Sequence, residues 1–247
     1  VAGAVVIGHR GSRATDPENS LRGFETAAAT GVPAVELDVR LTADDLLVCS
    51  HDPTTKRLGG SDRPIAEMTG AEVREITLRG GVGVPTLAAV LDVLAGTVQV
   101  VIEVKNHQEE PGFSAERRQA RVLADLLEAR HGAGDRIRGV SSFDHESASV
   151  FAAASGRYGD RAAALGRPGA LASALLAEGR RRDLRQLHPH YASVVAQPRI
   201  VAAAADAGVA LTCWTVNTLA VGRRLSRLGV AGLISDVPQR LIAGLAS

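Results

Sequence analysis

The stretch Ala34-Val35-Glu36-Leu37-Asp38-Val39-Arg40-Leu41, then Thr42-Ala43-Asp44-Asp45, then Leu46-Leu47-Val48-Cys49-Ser50-His51-Asp52, decides how the chain is laid out. Its first part is apolar and β-branched apart from Glu36, Asp38 and Arg40, and reads as a strand over 34–39. Four small or polar residues cannot hold a crossover helix, so the second apolar run must return beside the first as an antiparallel hairpin. Centring the turn on Asp44-Asp45 sets His51 opposite Asp38. Side chains alternate along a strand, so Glu36 and Asp38 share one face and Leu37 takes the other.

Outward from this hairpin the chain settles into a rhythm. Apolar runs at 4–8, 34–39, 98–105, 137–142, 162–165, 185–188, 210–215 and 231–235 alternate with helical patterns at 20–30, 86–95, 115–131, 144–155, 169–178, 198–207, 218–228 and 238–245. Asn19 is placed to cap the first helix and Gly31 to end it, while Pro198 and Pro238 suit the first turns of theirs. Such alternation predicts an α/β fold with parallel strands covered by helices. Eight units in 247 residues, without a Gly-rich dinucleotide fingerprint after the first strand, favour a closed (β/α)8 TIM barrel over a doubly wound sheet. Residues 53–84 carry glycine pairs and no unit of their own. They read as a small insertion subdomain after the second barrel strand, over the mouth of one domain spanning 1–247.

Bulk properties narrow the function. With 28 Lys+Arg against 27 Asp+Glu the formal charge is +1, which argues against a nucleic-acid protein. Arg180-Arg181-Arg182 reads as a solvated helix end. Cys49 and Cys213 lie in apolar runs and read as buried thiols. No apolar run reaches the roughly 20 residues that span a bilayer, so stable membrane insertion is not expected. The first strand begins almost at residue 1, and a cytoplasmic enzyme, monomeric or homodimeric, is the default. Residue 1 is Val rather than Met, which leaves room for a removed leader.

In a barrel the C-terminal strand ends build the active site. Here they carry His9-Arg10-Gly11, Glu36 with Asp38, the returning His51-Asp52, Glu103-Val104-Lys105, and Trp214-Thr215-Val216-Asn217. Carboxylates from Glu36, Asp38 and Glu103 on adjacent strands repel unless joined by a cation, and Mg²⁺ or Ca²⁺ fits oxygen donors better than zinc does. Arg10 and Lys105, one of only two lysines in the chain, suit an anionic phosphoryl group. His9 and His51 can exchange protons near neutral pH. Trp214 reads as an apolar wall for the substrate. Together these groups meet the needs of phosphodiester cleavage, by a substrate hydroxyl through a cyclic phosphate or by water directly. His107, His131 and His145 read as solvated, and His188 and His190 as flanking a turn at Pro189. Glu18 and Asn19 could support His9, though capping accounts for Asn19.

These residues resemble the glycerophosphodiester phosphodiesterases of bacterial type. The likeness runs from His9-Arg10-Gly11 and Pro17-Glu18-Asn19-Ser20 through Glu36-Leu37-Asp38-Val39, Thr42, His51-Asp52, Val84-Pro85-Thr86-Leu87, Glu103-Val104-Lys105 and Trp214-Thr215-Val216-Asn217 to Ser235-Asp236-Val237-Pro238. It implies a barrel hydrolase that releases glycerol 3-phosphate and an alcohol from a small glycerophosphodiester, using one divalent cation. His9 and His51 then resemble the acid–base pair, Glu36, Asp38 and Glu103 the metal ligands, Arg10 and Lys105 the phosphate binders, and Trp214 a neighbour of the glycerol. Ser20 stands where Thr is usual and Asp45 where Gly is common.

Three other readings compete. A lysophospholipase D or sphingomyelinase-D-like enzyme needs a greasy groove, whereas 53–84 is charged and glycine-rich and the chain is 3% aromatic. A non-catalytic phosphate-ester binding barrel would not need both histidines. A metal barrel abstracting a proton beside a carboxylate would not need Arg10, Lys105 and two histidines together.

Overall fold

A computed structural model describes residues 3–134 and 136–246. Eight strands close into a parallel barrel: β1 (Val5–Gly8), β2 (Ala34–Leu41), β6 (Gln99–Val104), β7 (Ile137–Ser142), β8 (Ala162–Leu165), β9 (Gln186–His188), β10 (Ala210–Cys213) and β11 (Gly232–Ser235). Each pairs with the next, and β1 returns to both β11 and β2. Around them lie α1 (Leu21–Ala29), α3 (Leu87–Leu94), α4 (Arg118–Ala129), α5 (His145–Ala154), α6 (Ala172–Arg181), α8 (Ile200–Asp206), α9 (Leu219–Leu228) and α10 (Pro238–Ala246). A short α7 (Tyr191–Ala196), not expected from the sequence, follows β9 with His190 as its N-cap. Pro198 accordingly falls before α8 rather than in its first turn. Among the described residues no helix is long and apolar enough to cross a membrane.

Alternation along the strands sorts the core into two layers. Val6, Val35, Leu37, Val39, Val100, Ile102 and Val104 point to the helices and join the large outer cluster. Ile7, Ala34, Val101 and Ile234 point inward and plug the barrel floor. Leu37, with no exposed area, contributes on the order of 1.5–3 kcal/mol by leaving water. Glu36, Asp38 and Glu103 share the inward parity, nearer the C-terminal strand ends than the plug.

The hairpin forms as β2 against β3 (Leu47–Cys49), with Val39 opposite Cys49. Its register differs from the expected one by a residue, so Ser50 rather than His51 faces Asp38, donating its N–H to the Asp38 carbonyl at 3.1 Å. The cause is the loop. Asp45 donates to the Thr42 carbonyl and sits at φ +63°, the type I turn plus left-handed residue of a three-residue connection. The segment after the hairpin contains α2 (Gly70–Arg74) and a ribbon of β4 (Thr77–Leu78) with β5 (Val82–Gly83), around a separate cluster of Val48, Ile65, Met68, Val73, Leu78 and Val84. Helix α2 opens with a reciprocal capping box between Thr69 and Glu72.

At α1 the expected cap is displaced. Ser20, not Asn19, is the N-cap, its Oγ accepting from the Gly23 N–H at 3.1 Å. Gly31, at φ +74°, follows the helix end as expected. Both cysteines are free and buried, and Arg180 and Arg181 end α6 in solvent.

Candidate active site

The strand ends and the hairpin bring every expected site residue but one to a single rim. His9, Arg10, Glu36, His51, Glu103, Lys105 and Trp214 line a cavity of about 240 Å³; Asp38, fully buried, lies just behind it. Pairing of β2 with β6 sets Asp38 beside Glu103. Oxygens from Glu36, Asp38 and Glu103 lie within 4.8 Å of one another, a group able to hold a metal ion. Burial, then repulsion from Asp38, pushes the Glu36 carboxyl up to about 7. Burial also penalises the Asp38 charge, but Lys105 and Arg10 outweigh it and hold that carboxyl well below the usual range. Lys105 Nζ stands 2.8 Å from Asp38 Oδ1 and hydrogen-bonds Glu103.

Arg10 follows β1 at φ +54°, a left-handed conformation that costs a non-glycine residue roughly 1–3 kcal/mol. That geometry aims two groups at once. Its N–H donates to Glu36 at 3.1 Å, and its Nε lies 3.2 Å from Asp38 Oδ2. Gly11 next to it, at φ +87°, lets α1 close in; a Cβ there would meet the Gly23 carbonyl carbon at 3.0 Å.

Each histidine is backed by a carboxylate. His9 Nδ1 bonds Asp236 at 2.7 Å, and His51 Nδ1 bonds Asp52 at 2.7 Å. A carboxylate can only accept, so Nδ1 carries the hydrogen and Nε2 is left available to the cavity. Burial, reinforced by Lys105 and Arg10, lowers the His51 pKa against the pull of Asp38. The buried Arg40 clamps the His51 carbonyl, its Nη2 donating at 2.6 Å, and reaches Glu110 at 2.7 Å.

Several supporting residues were not legible from the sequence. Asn19 donates to Asp38 Oδ2 at 2.8 Å, a site role that replaces the expected cap. Glu18 bonds Arg10 and Arg57 rather than His9. Asn217 and Arg13 hold Asp236. Phe143 lines the cavity and stands edge-on to Trp214, ring centres 5.6 Å apart. His188, expected at a turn, ends β9 fully buried in the cavity wall. His107 and His145 are half-buried rather than solvated, and only His131 is exposed. Beside the cavity, sharing His51, Lys105 and Phe143, opens a cleft of about 940 Å³ lined also by His107, Gln108, Glu109, Glu110 and Arg167.

Known proteins resemble the chain throughout. Residues 9–240 match the glycerophosphoryl diester phosphodiesterase family. A glycerophosphodiester phosphodiesterase from Caldanaerobacter subterraneus subsp. tengcongensis is 29% identical, over 96% of both chains. The crystal structure of glycerophosphodiester phosphodiesterase from Thermotoga maritima is 25% identical with a TM-score of 0.78, over 98% of this chain and 99% of that one. An Oleispira antarctica phosphodiesterase, solved with the product sn-glycerol-3-phosphate, shares the fold at 24% identity and a TM-score of 0.82, over 99% and 98%. With its barrel, its clustered carboxylates and its matched length, the chain belongs to the glycerophosphoryl diester phosphodiesterase family.

Proposed function

We propose that this chain hydrolyses small glycerophosphodiesters, such as glycerophosphocholine or glycerophosphoethanolamine, to glycerol 3-phosphate and the free alcohol. The observation that carries the reading is the convergence on one site of three buried carboxylates, two cationic side chains and two carboxylate-backed histidines. Glu36, Asp38 and Glu103 would hold one divalent cation; their oxygen-only donors suit Mg²⁺ or Ca²⁺, and a cation there would offset the burial and the Asp38 repulsion that raise Glu36. When bound, the cation supplies Lewis-acid stabilisation of the charge that builds on phosphoryl oxygens. Arg10 and Lys105 draw the phosphate to the same pole. His9 and His51, with Nε2 available, divide the removal of a proton from the nucleophile and its delivery to the leaving oxygen. Trp214 walls the glycerol side. The adjoining cleft takes the leaving alcohol, and with Phe143 as the only apolar side chain in its lining it favours a water-soluble headgroup over an acyl chain. The chain acts as one catalytic unit, with 53–84 as its insertion.

Glycerol 3-phosphate release from glycerophosphocholine is expected with Mg²⁺ or Ca²⁺, is abolished by EDTA and returns when metal is restored. Turnover indifferent to EDTA would remove the cation from this reading, and no turnover of any glycerophosphodiester in any metal would remove the substrate. His51→Ala is expected to cut kcat by roughly 100- to 10,000-fold while circular dichroism is unchanged. A variant turning over like wild type would strip His51 of its role.

A further inference from the structure

Across the cavity from the carboxylates stands a side chain that the proton transfers do not use. Around the barrel, β9 lies four strands from β2 in either direction, so His188 stands on the wall opposite the Glu36–Asp38 pole, with its Nε2 edge beside Gly139 of β7. It is 1% exposed and lines the catalytic cavity. Its Nδ1 is buried without a hydrogen-bond partner, and among the described residues no hydrogen bond reaches its other ring nitrogen. Buried polar atoms are rarely left this way, because each unmade bond costs stability. The wall itself is fixed, with Trp214 Nε1 donating to the His188 carbonyl at 2.9 Å.

The ring's charge state narrows what it could meet. Burial, with the nearby Arg138 charge adding to it, pushes His188 down to about 3, so the imidazole is neutral at physiological pH. A neutral imidazole donates through one nitrogen and accepts through the other, which matches a hydroxyl. A phosphate would instead be drawn to Arg10 and Lys105 at the other pole. A glycerol phosphate anchored there would have β9 at the far wall of the cavity, within the space open to its carbon chain.

We propose that His188 is a specificity-determining residue that hydrogen-bonds a hydroxyl of the substrate's glycerol moiety, at the end far from the phosphate. The assignment rests on the reading of the cavity as a glycerophosphodiester site. It explains why an imidazole without a hydrogen-bond partner is buried in the wall that also holds Ser141, Phe143, Leu165, Trp214 and Thr215, and why it sits opposite the charged pole.

The test is calorimetric binding, in Mg²⁺, of glycerol 3-phosphate, 3-hydroxypropyl phosphate and propyl phosphate to wild type, His188→Leu and His188→Asn. Wild type should bind the two ligands that carry the distal hydroxyl roughly tenfold more tightly than propyl phosphate. In His188→Leu the three affinities should converge, and in His188→Asn the preference should be intermediate. A merely structural role would weaken all three ligands alike and keep the ratio. Absence of preference in wild type, or a wild-type ratio in His188→Leu, overturns the proposal. Should His188→Leu not fold, a full wild-type ratio in His188→Asn overturns it equally. Turnover of glycerophosphocholine is measured alongside; its absence would count against the catalytic reading and leave the binding ratios to decide this one.

Discussion

Asp236 and His9 are 227 residues apart in the chain and 2.7 Å apart in the fold, and the orientation of one proposed catalytic histidine depends on that contact. Asp236 is itself held by Asn217 and Arg13, which with His9 outweigh burial and keep its carboxyl well below the usual range. It is therefore ionised at any pH where the enzyme works, and always an acceptor for Nδ1–H. Asp236→Ala should lower kcat roughly 100-fold, the lower end of what a positioned acid–base group contributes, with a smaller change in KM. Wild-type kcat would mean that something else aligns His9. His188 makes a different demand, on stability. Its folded pKa, about 3, lies below the unfolded 6.5, so the unfolded chain binds a proton that the native state refuses. Its effect is absent above pH 6.5 and grows as pH falls from there to about 3. Each unit of pH is worth about 1.4 kcal/mol, or about 2 kcal/mol by pH 5. Urea denaturation should therefore show His188→Leu gaining on wild type by that amount between pH 7 and pH 5. Parallel behaviour of the two proteins would place solvent beside the ring.

At the scale of elements, the hairpin and the segment behind it show what a linear pattern carries and what it omits. The return of His51 follows from the shortness of the 42–45 linker, because no helix fits there. Its register does not follow, because it turned on Asp45 adopting a left-handed φ that alternation along the strands cannot encode. The parity of Glu36, Asp38, Glu103 and Lys105 was legible for the converse reason: a strand's period of two follows from the backbone alone. Asn19, Arg40, Arg57 and His188 were not: the first three act through contacts that no strand or helix period encodes, and Asn19 and His188 also had an adequate local explanation, as a helix cap and at a turn. Residues 53–84 supply Arg57, which bonds both Asp52 behind His51 and Glu18 behind Arg10. That segment rests on its own small apolar cluster. Ile65→Ala, at a site 1% exposed, should cost about 2–5 kcal/mol within that cluster. Hydrogen exchange should rise across 53–84 before it rises in the barrel, and kcat should fall at temperatures where the barrel is intact. Exchange rising evenly over the whole chain would show the segment and barrel to be one cooperative body.

At the scale of the whole molecule, the site exists only if the barrel closes. β1 meets β11 over four positions, from Val5 opposite Gly232 to Gly8 opposite Ser235, and the next residues out are His9 and Asp236. The first and last units of the chain thus bring His9 and Asp236 together, one half of the proposed acid–base pair, and the hairpin after β2 brings His51, the other half, to the same cavity. Packing at that seam leaves little slack. A Cβ on Gly232 would stand 2.8 Å from Thr212 Oγ1 and 3.1 Å from Ile7 Cδ1, inside the barrel floor. Gly232→Ala should therefore destabilise by about 1–3 kcal/mol through overpacking, each kcal/mol lowering Tm by roughly 2–4 °C in a chain of this size. Because the floor lies farther from the C-terminal strand ends than the carboxylates do, kcat at low temperature should be unchanged, while thermal inactivation should move down with Tm. A variant that melts with wild type would mean the seam can yield to admit a methyl group. A variant that loses activity while still folded would mean that strain at the floor is transmitted to His9 and Asp236, and that closure sets the geometry of the site as well as its existence.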